Sequence, residues 1–519
     1  MHHAALLRRQ SAQGMALLWL ATAMAFAQAP GVPGATGSSR ALPLPLSGRS
    51  NESGAVSVQQ SATSSGAETV SSSTQIGGGF QGSVPGTALP SGTIQLTLGE
   101  AVRRGLETNL GALSANTSAR AASAQRAQER SYLLPNISVS ASETVTQINL
   151  AAYGFKFNLP PGINFSIPSV IGPFSYSQLQ GNFNYSIWDP VQRHNLQASK
   201  DREHAAVYSA KDARELVVLA VAGAYLQLLA TAASVESQRA QVENARAVNR
   251  QAEVRRTAGT NAKIDVMRTL VELETQQQRL NALVAEVRKQ KIGFARLIGL
   301  PLDRELVLTE SLGFPSLTVP EAASVIQHAF ASRQDLKAAQ AQVQAAERVV
   351  SAARAERLPS ASFSGDYGVS GPNPISTHGV FALSGSVNVP VWLGGRVKAD
   401  IEQAEATVAQ RKAELANQQG QVEQEVRTAL IELETAIGQV QLAQQNRGYA
   451  SETLRESRDR FQLGVATTVE VVQAQEQVAN AESDYVSSLY SFEIARIALG
   501  RATGEAEKEI PDLLKAGQP

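Results

Sequence analysis

RDRFQLGVATTVEVV, residues 458–472, lays over EVRRTAGTNAKIDVM, residues 253–267. Gly464 falls on Gly259, a small polar stretch follows each, and Val469, Glu470 and Val471 then fall on Ile264, Asp265 and Val266. A glycine after a helical run takes φ > 0 and stops the helix, and Thr467-x-x-Glu470 is a capping box that starts the next. Each stretch therefore reads as the reversal of a helical hairpin, made twice by one chain.

The repeat extends outward from these turns. LTLGEAVRRGLETN (96–109) is echoed by LTVPEAASVIQHAF (317–330), and YLLPNISVSA (132–141) by ERLPSASFSG (356–365). FNYSIWDPVQR (183–193) is echoed by VNVPVWLGGRV (387–397), with Trp188 opposite Trp392. Each half reads helix, strand, strand, long helix, turn, helix. The boundaries are 93–316 for the first repeat, 317–506 for the second and 507–519 for a tail.

The strands alternate. In LQGNFNYSIW (179–188), Leu179, Phe183, Tyr185 and Ile187 point one way, and Gln180, Asn182, Asn184 and Ser186 the other. FALSGSVNVPV (381–391) does the same. An apolar face opposite a Ser/Asn face suits a half-buried strand in a soluble sandwich, or a barrel strand between lipid and a wet lumen. Four strands cannot close a barrel alone. A proline-rich loop at 151–176 and the turn GPNPISTHG (371–379) join them as surface loops.

Residues 190–258 hold no proline after Pro190 and one glycine, Gly223, so a single helix there would run roughly 100 Å. The segments 97–134 and 262–299 are each about half as long; 394–463, 322–358 and 466–500 repeat the arrangement. Val266, Leu273, Leu280, Val287 and Phe294 recur at heptad spacing, and so do Val471, Val478, Tyr485, Phe492 and Leu499. That is coiled-coil register, weakened by Gln277 and Lys291 on the seam.

Composition narrows the function. The 519 residues carry 46 basic and 46 acidic side chains, so nothing marks a nucleic-acid partner. Cysteine is absent, which removes disulfides, thiol chemistry and a lipid-anchor cysteine, and the six histidines are scattered, against a metal site. No phosphate loop, nucleophile elbow, zinc helix or pocket carboxylate pair occurs, so neither an enzyme nor a cofactor is expected. Gly77, Gly79 and Gly82 match G-x-G-x-x-G without a strand before or a helix after, and carry no meaning.

Residues 1–27 read as a cleaved secretory signal: Arg8 and Arg9, the apolar run MALLWLATAMAFA (15–27), and Ala25-Phe26-Ala27. No other stretch reaches spanning length, so helices are not expected to cross a membrane. Residues 28–92, rich in Ser, Gly and Pro, read as disordered, either a spacer or a segment lying against the helices.

The motifs LPNISVSA and LPSASFSG, VNVPVWLGGRVKADIEQAEA and RFQLGVATTVEVVQAQ, in this order and recurring twice, resemble the TolC-like family of outer membrane efflux proteins over about residues 94–506. The resemblance implies a mainly α fold with a small β part. It is a duplicated helical-hairpin α-barrel in the periplasm with four transmembrane β-strands per chain. A homotrimer would then form one twelve-stranded β-barrel in outer-membrane lipid. It also implies a passive exit duct of a tripartite efflux or type I secretion system, docked on a periplasmic membrane-fusion adaptor and powered by an inner-membrane transporter of RND or ABC type. A soluble periplasmic coiled-coil scaffold without a pore is the alternative.

By the same resemblance, Gly259, Thr260, Gly464 and Val465 are adaptor-docking tips, and Asp265 and Glu470 face the narrow periplasmic aperture. Gln473 stands where a second acid is expected. Phe461 and Ala466 replace a Tyr and an Arg that latch the closed state, so the polar latch is absent or rebuilt. Arg255, Arg256, Arg458 and Arg460 are candidates to pair with the acids, although exposed arginines usually form a solvated face. Trp188 and Trp392 fit a membrane-interface belt or packing at the strand–helix junction. Asp189-Pro190 reads as an N-cap with proline in the first turn.

Overall fold

The computed structural model describes residue 80, residues 82–85, 92–150, 152, 154, 168–315, 317 and 319–514. The expected signal (1–27) and most of 28–92 lie outside the described residues.

The two halves trace the same path. The first runs β1 (Ile94–Leu96), α1 (Leu98–Thr108), α2 (Leu110–Ser131), β2 (Asn136–Asn149), β3 (Val170–Trp188), α3 (Pro190–Thr257) and α4 (Lys263–Leu297). The second runs β4 (Leu306–Leu308), α5 (Ala322–Ser332), α6 (Gln334–Ala355), β5 (Ser360–Gly371), β6 (His378–Asn388), α7 (Arg396–Gln462) and α8 (Thr468–Thr503). The 68-residue α3 begins as expected: the Asp189 carboxylate accepts from the Gln192 amide at 3.0 Å, with Pro190 in the first turn. β3 starts at Val170, well before the expected 179, so part of the anticipated loop is strand.

Two helices expected to be continuous are broken. Asn109 separates α1 from α2 and Arg333 separates α5 from α6. Asn109 is fully buried; its side chain caps α2 through the Gly111 amide (2.8 Å) and donates to the Phe80 carbonyl (2.7 Å). Within the stretch expected to be disordered, Phe80 is therefore buried, and the Gly82 carbonyl accepts from the Leu110 amide at 2.9 Å. At the second break Arg333 is fully buried against Asp335 (2.7 Å) and Glu425. A buried guanidinium needs such carboxylates, and the break lets Arg333 reach them.

These breaks lie in a belt where the halves join. β1 and β4 pair in parallel, and Leu96, Val217, Val221, Tyr225, Phe294 and Leu306 fill the core beneath them. This explains a departure from the sequence reading. α3 does contain an 18-residue window long and apolar enough to span a membrane, but 67% of that window is buried in the protein. Its apolar residues are core, not a span.

The long sheet has the order β2-β3-β5-β6, antiparallel throughout. Registered neighbours point the same way, so its two faces follow from the pairing. Ile137, Phe183, Gly365 and Leu383 share one row, and Val139, Gly181, Tyr367 and Phe381 the next. Ser138, Asn182, Asp366 and Ala382 lie on the opposite face, where Asn182 bonds Ser140 and Ser362 bonds Ser386. Val139 and Phe381 are each 73% exposed, so nothing among the described residues covers the apolar face.

The helices keep the same width of four. Next to the sheet the packing runs α2-α3-α6-α7; toward the hairpin turns it runs α4-α3-α8-α7. Leu273, Phe294, Val478 and Phe492 of the heptad seam are buried, whereas Leu280 and Val287 are half-buried, as the polar seam positions foretold.

Candidate functional site: the paired hairpin tips

Both reversals use the same backbone device. Gly259 and Gly464 each have φ 78°. The Gly259 amide donates to the Arg256 carbonyl and the Thr260 amide to that of Arg255; Gly464 repeats this with Phe461, and Val465 with Arg460, at 2.9–3.1 Å. These bonds satisfy carbonyls the helix ends would leave open. Val465 is 66% exposed and Thr260 is exposed, its hydroxyl held by the Arg255 carbonyl at 3.0 Å.

The acids differ in their local duties. Glu470 completes the capping box: its amide donates to the Thr467 hydroxyl and its carboxylate accepts from the Thr467 amide, both at 3.3 Å. Asp265 sits in the first turn of α4, but the N-cap there is Ala262, which has no side chain to bond. Asp265 instead lies 3.5 Å from Arg268, one turn on in its own helix. The second turn is capped by its side chains and the first is not.

The four arginines that are candidates to pair with the acids separate. Arg460 approaches Glu470 only at 3.9 Å, and Arg256 is exposed. Arg458 is half-buried; among the described residues its Nε and Nη2 find no partner, and burial pushes its guanidinium below its usual range. Arg255 makes no ion pair with an acid among the described residues. Its guanidinium stacks 4.1 Å from the centre of the Phe461 ring and donates to the carbonyls of Phe461 (2.5 Å) and Gln462 (3.2 Å). A cation is favourable both on an aromatic face and at a helix C-terminus.

Phe461 is buried with Val248, Leu454, Val471, Ala474 and Val478, and Ala466 packs beside them. Phe461 therefore anchors the tip through its ring and carbonyl, without the hydroxyl the resemblance called for. Gln473 is exposed. Sequence singled out both Arg255 and Phe461 but offered the arginine only a carboxylate or a solvated face. A residue of α3 meeting the end of α7 has no local signal.

At the sheet end, Trp188 follows a register shift that places it opposite Ala361, on the apolar side of the sheet. Arg193 stacks on it at 4.2 Å. Trp392 is 87% exposed, so packing among the described residues does not hold it. Among the described residues no group of three or more His, Asp or Glu is placed to hold a metal.

Outside the tips, sequence reading missed a buried ionic belt. Asp212 accepts from Arg501 at 2.7 Å, and Glu493, 1% exposed, accepts from Arg496 at 2.9 and 3.1 Å. Burial outweighs the arginine and pushes the Glu493 carboxyl up to about 7. The available signal was a charge within an apolar helical stripe.

Amphipathic strands, a duplicated path and capped coiled-coil tips are the features by which this chain can be compared with known proteins. The model of the outer membrane efflux proteins matches residues 103–300 and 325–505, one stretch in each half. The chain belongs to the outer membrane efflux protein family.

Similar proteins include the pyoverdine export outer membrane protein OpmQ of Pseudomonas putida, 26% identical over 63% of this chain and 70% of that one. The outer membrane protein TolC of Vibrio cholerae is 24% identical over 74% and 85%. Among solved structures, the Campylobacter jejuni CmeC outer membrane channel superposes with TM-score 0.67 at 17% identity, over 81% and 89%. The open state of the Neisseria gonorrhoeae MtrE outer membrane channel gives 0.66 at 19%, over 79% and 89%. This outer membrane efflux protein thus has the TolC-like fold, and its work is transport through a channel.

Proposed function

We propose that three copies of this outer membrane efflux protein close into one exit duct. The observation that carries this reading is the pair of unlike free edges. The sheet ends in β2 on one side and β6 on the other, and the helical tiers end in α2 or α4 on one side and α7 on the other. In the antiparallel order, β6 of one copy meets β2 of the next antiparallel, a head-to-tail contact that closes into a ring. Unpaired strand edges cannot persist in lipid, so closure is required there. Two copies would give eight strands, a barrel that side chains fill; three leave a lumen, lined by the Ser and Asn face.

In this reading the four strands cross the outer membrane and the helices continue below as a hollow tunnel. Gly259, Thr260, Gly464 and Val465 meet a periplasmic adaptor, and an inner-membrane transporter of RND or ABC type supplies the energy. Asp265 and Glu470 ring the aperture, and substrate passes without covalent change. The reading is tested by detergent extraction from outer membranes, a heat-sensitive trimer on a gel, and channel conductance in planar bilayers. Fractionation with soluble protein, without conductance, would favour the scaffold reading instead.

A further inference from the structure

A groove of about 370 Å³ opens between α2 and α3, lined by Arg126, Ala127, Arg130, Leu196, Gln197 and Lys200. Its side of the molecule is fixed by Trp188. That ring shares a row with Ala361 and Val387 on the apolar face of the sheet, and Arg193 stacks on it. Arg193, Gln197 and Lys200 fall at i, i+4 and i+7, one face of α3, so the groove opens on the apolar side of the strands.

The groove also lies close to the strands. Arg130 is next to last in α2, and Leu196 to Lys200 lie about 9–15 Å along α3 from its first residue. Helical side chains tilt toward the N-terminus, so Lys200 leans back toward the sheet.

Two of the three cations there are uncompensated. Arg126 holds Glu203 at 2.9 Å, and Asp201 is taken by Arg348 at 3.6 Å. Glu129 acts on Arg202. Among the described residues no acid pairs with Arg130 or Lys200. The duplicated junction between α6 and α7 is an internal comparison. There Arg354 holds Glu405 (2.7 Å), Arg396 holds Glu356 (2.9 Å) and Asp400 (3.2 Å), and Lys398 lies 3.7 Å from Glu402. The three bases Arg354, Arg396 and Lys398 are each paired there with a carboxylate; between α2 and α3 two cations and a cavity stay open.

We propose that this groove binds the phosphate headgroup of an anionic phospholipid from the membrane leaflet facing the helices, one site per copy. Arg130 and Lys200 take the phosphate, Arg126 the rim, and Leu196 the start of an acyl chain. The proposal rests on the reading that the sheet lies in the outer membrane with its apolar face toward lipid. Charge complementarity, and continuity with the apolar face through Trp188 and Arg193, favour lipid over a free anion or an acidic protein.

The test is native mass spectrometry of the full-length protein in detergent, titrated with phosphatidylglycerol or phosphatidylethanolamine. Wild type is expected to retain phosphatidylglycerol preferentially, with the preference collapsing in high salt. A cation near an anionic surface contributes about five-fold to binding, so Arg130→Gln with Lys200→Gln lowers the preference by about 25-fold. Arg354→Gln, at the paired junction, leaves it in place.

Equal retention of both lipids by wild type, or an unchanged preference in the double variant, overturns the proposal. So does displacement of the lipid by inorganic phosphate at equal concentration, which would make this a free-anion site. Loss of adaptor binding in the double variant with unaltered lipid retention would assign the groove to a protein. Planar-bilayer conductance of the same samples separates the two levels. A conducting wild type without lipid preference defeats only the lipid site, whereas a wild type that forms no channel defeats the membrane reading and the site with it.

Discussion

The guanidinium of Arg255 lies 4.1 Å from the ring centre of Phe461 and donates to that residue's carbonyl at 2.5 Å. One side chain thereby ties the tip of the first hairpin to the tip of the second. Stacking on an aromatic ring contributes about 0.5–2 kcal/mol and a charged hydrogen bond about 1.5–3 kcal/mol. We predict that Arg255→Ala frees the tips and raises the resting conductance in planar bilayers. Arg255→Lys keeps the charge but not the planar fork, and should fall between. The contact contains no carboxylate, so acidification through the carboxylate range should not release it. Conductance identical in wild type and Arg255→Ala would remove this role.

Asp265 and Glu470 are expected to give the aperture its cation preference. Replacing both by Ala should abolish that preference in reversal-potential measurements. Because Glu470 also belongs to a capping box, Thr467→Ala is the control: it costs about 1 kcal/mol of helix stability and should keep selectivity. Unchanged selectivity in the double variant would exclude the two acids from the conducting path.

Glu493 links stability to pH. Its carboxyl is raised from 4.5 to about 7 in the folded chain, chiefly by burial. A raised folded-state value favours the protonated form, so this contribution is whole below about 4.5 and is lost as pH rises through about 7. The shift corresponds to about 3 kcal/mol as an order of magnitude. Glu493→Gln should therefore flatten the fall in melting temperature between pH 5 and pH 8. A variant as pH-sensitive as wild type across that window would contradict the assignment.

Gly259 and Gly464 have open space where a Cβ would stand, so substitution there costs backbone strain and not a clash. Ala at φ 78° should cost about 1–2 kcal/mol at each turn, and Asn less, since its side chain tolerates the left-handed region. Thermal unfolding of the single variants measures this, and docking of the adaptor should weaken only as far as the tip is displaced.

Sequence by itself determined what is set by near neighbours along the chain. The glycine reversals, the Asp189 cap, the two-residue alternation of the strands, the heptad seam and the duplication all follow from local sterics and periodicity, which act within a few residues. The tertiary structure decided what depends on distant partners. Asn109 and Arg333 interrupt helices that propensity would have continued, because Phe80, Asp335 and Glu425 gather around them. An apolar window of spanning length became core because the two halves meet over it. Arg255 chose an aromatic ring and helix-end carbonyls over an acid, since α3 delivers it to the end of α7. Arg130 and Lys200 became a pair only when a helix on each side of the sheet's first hairpin was folded against the other. Charge and aromaticity can be read in a sequence, but whether a charge is satisfied is settled by the folded neighbourhood alone.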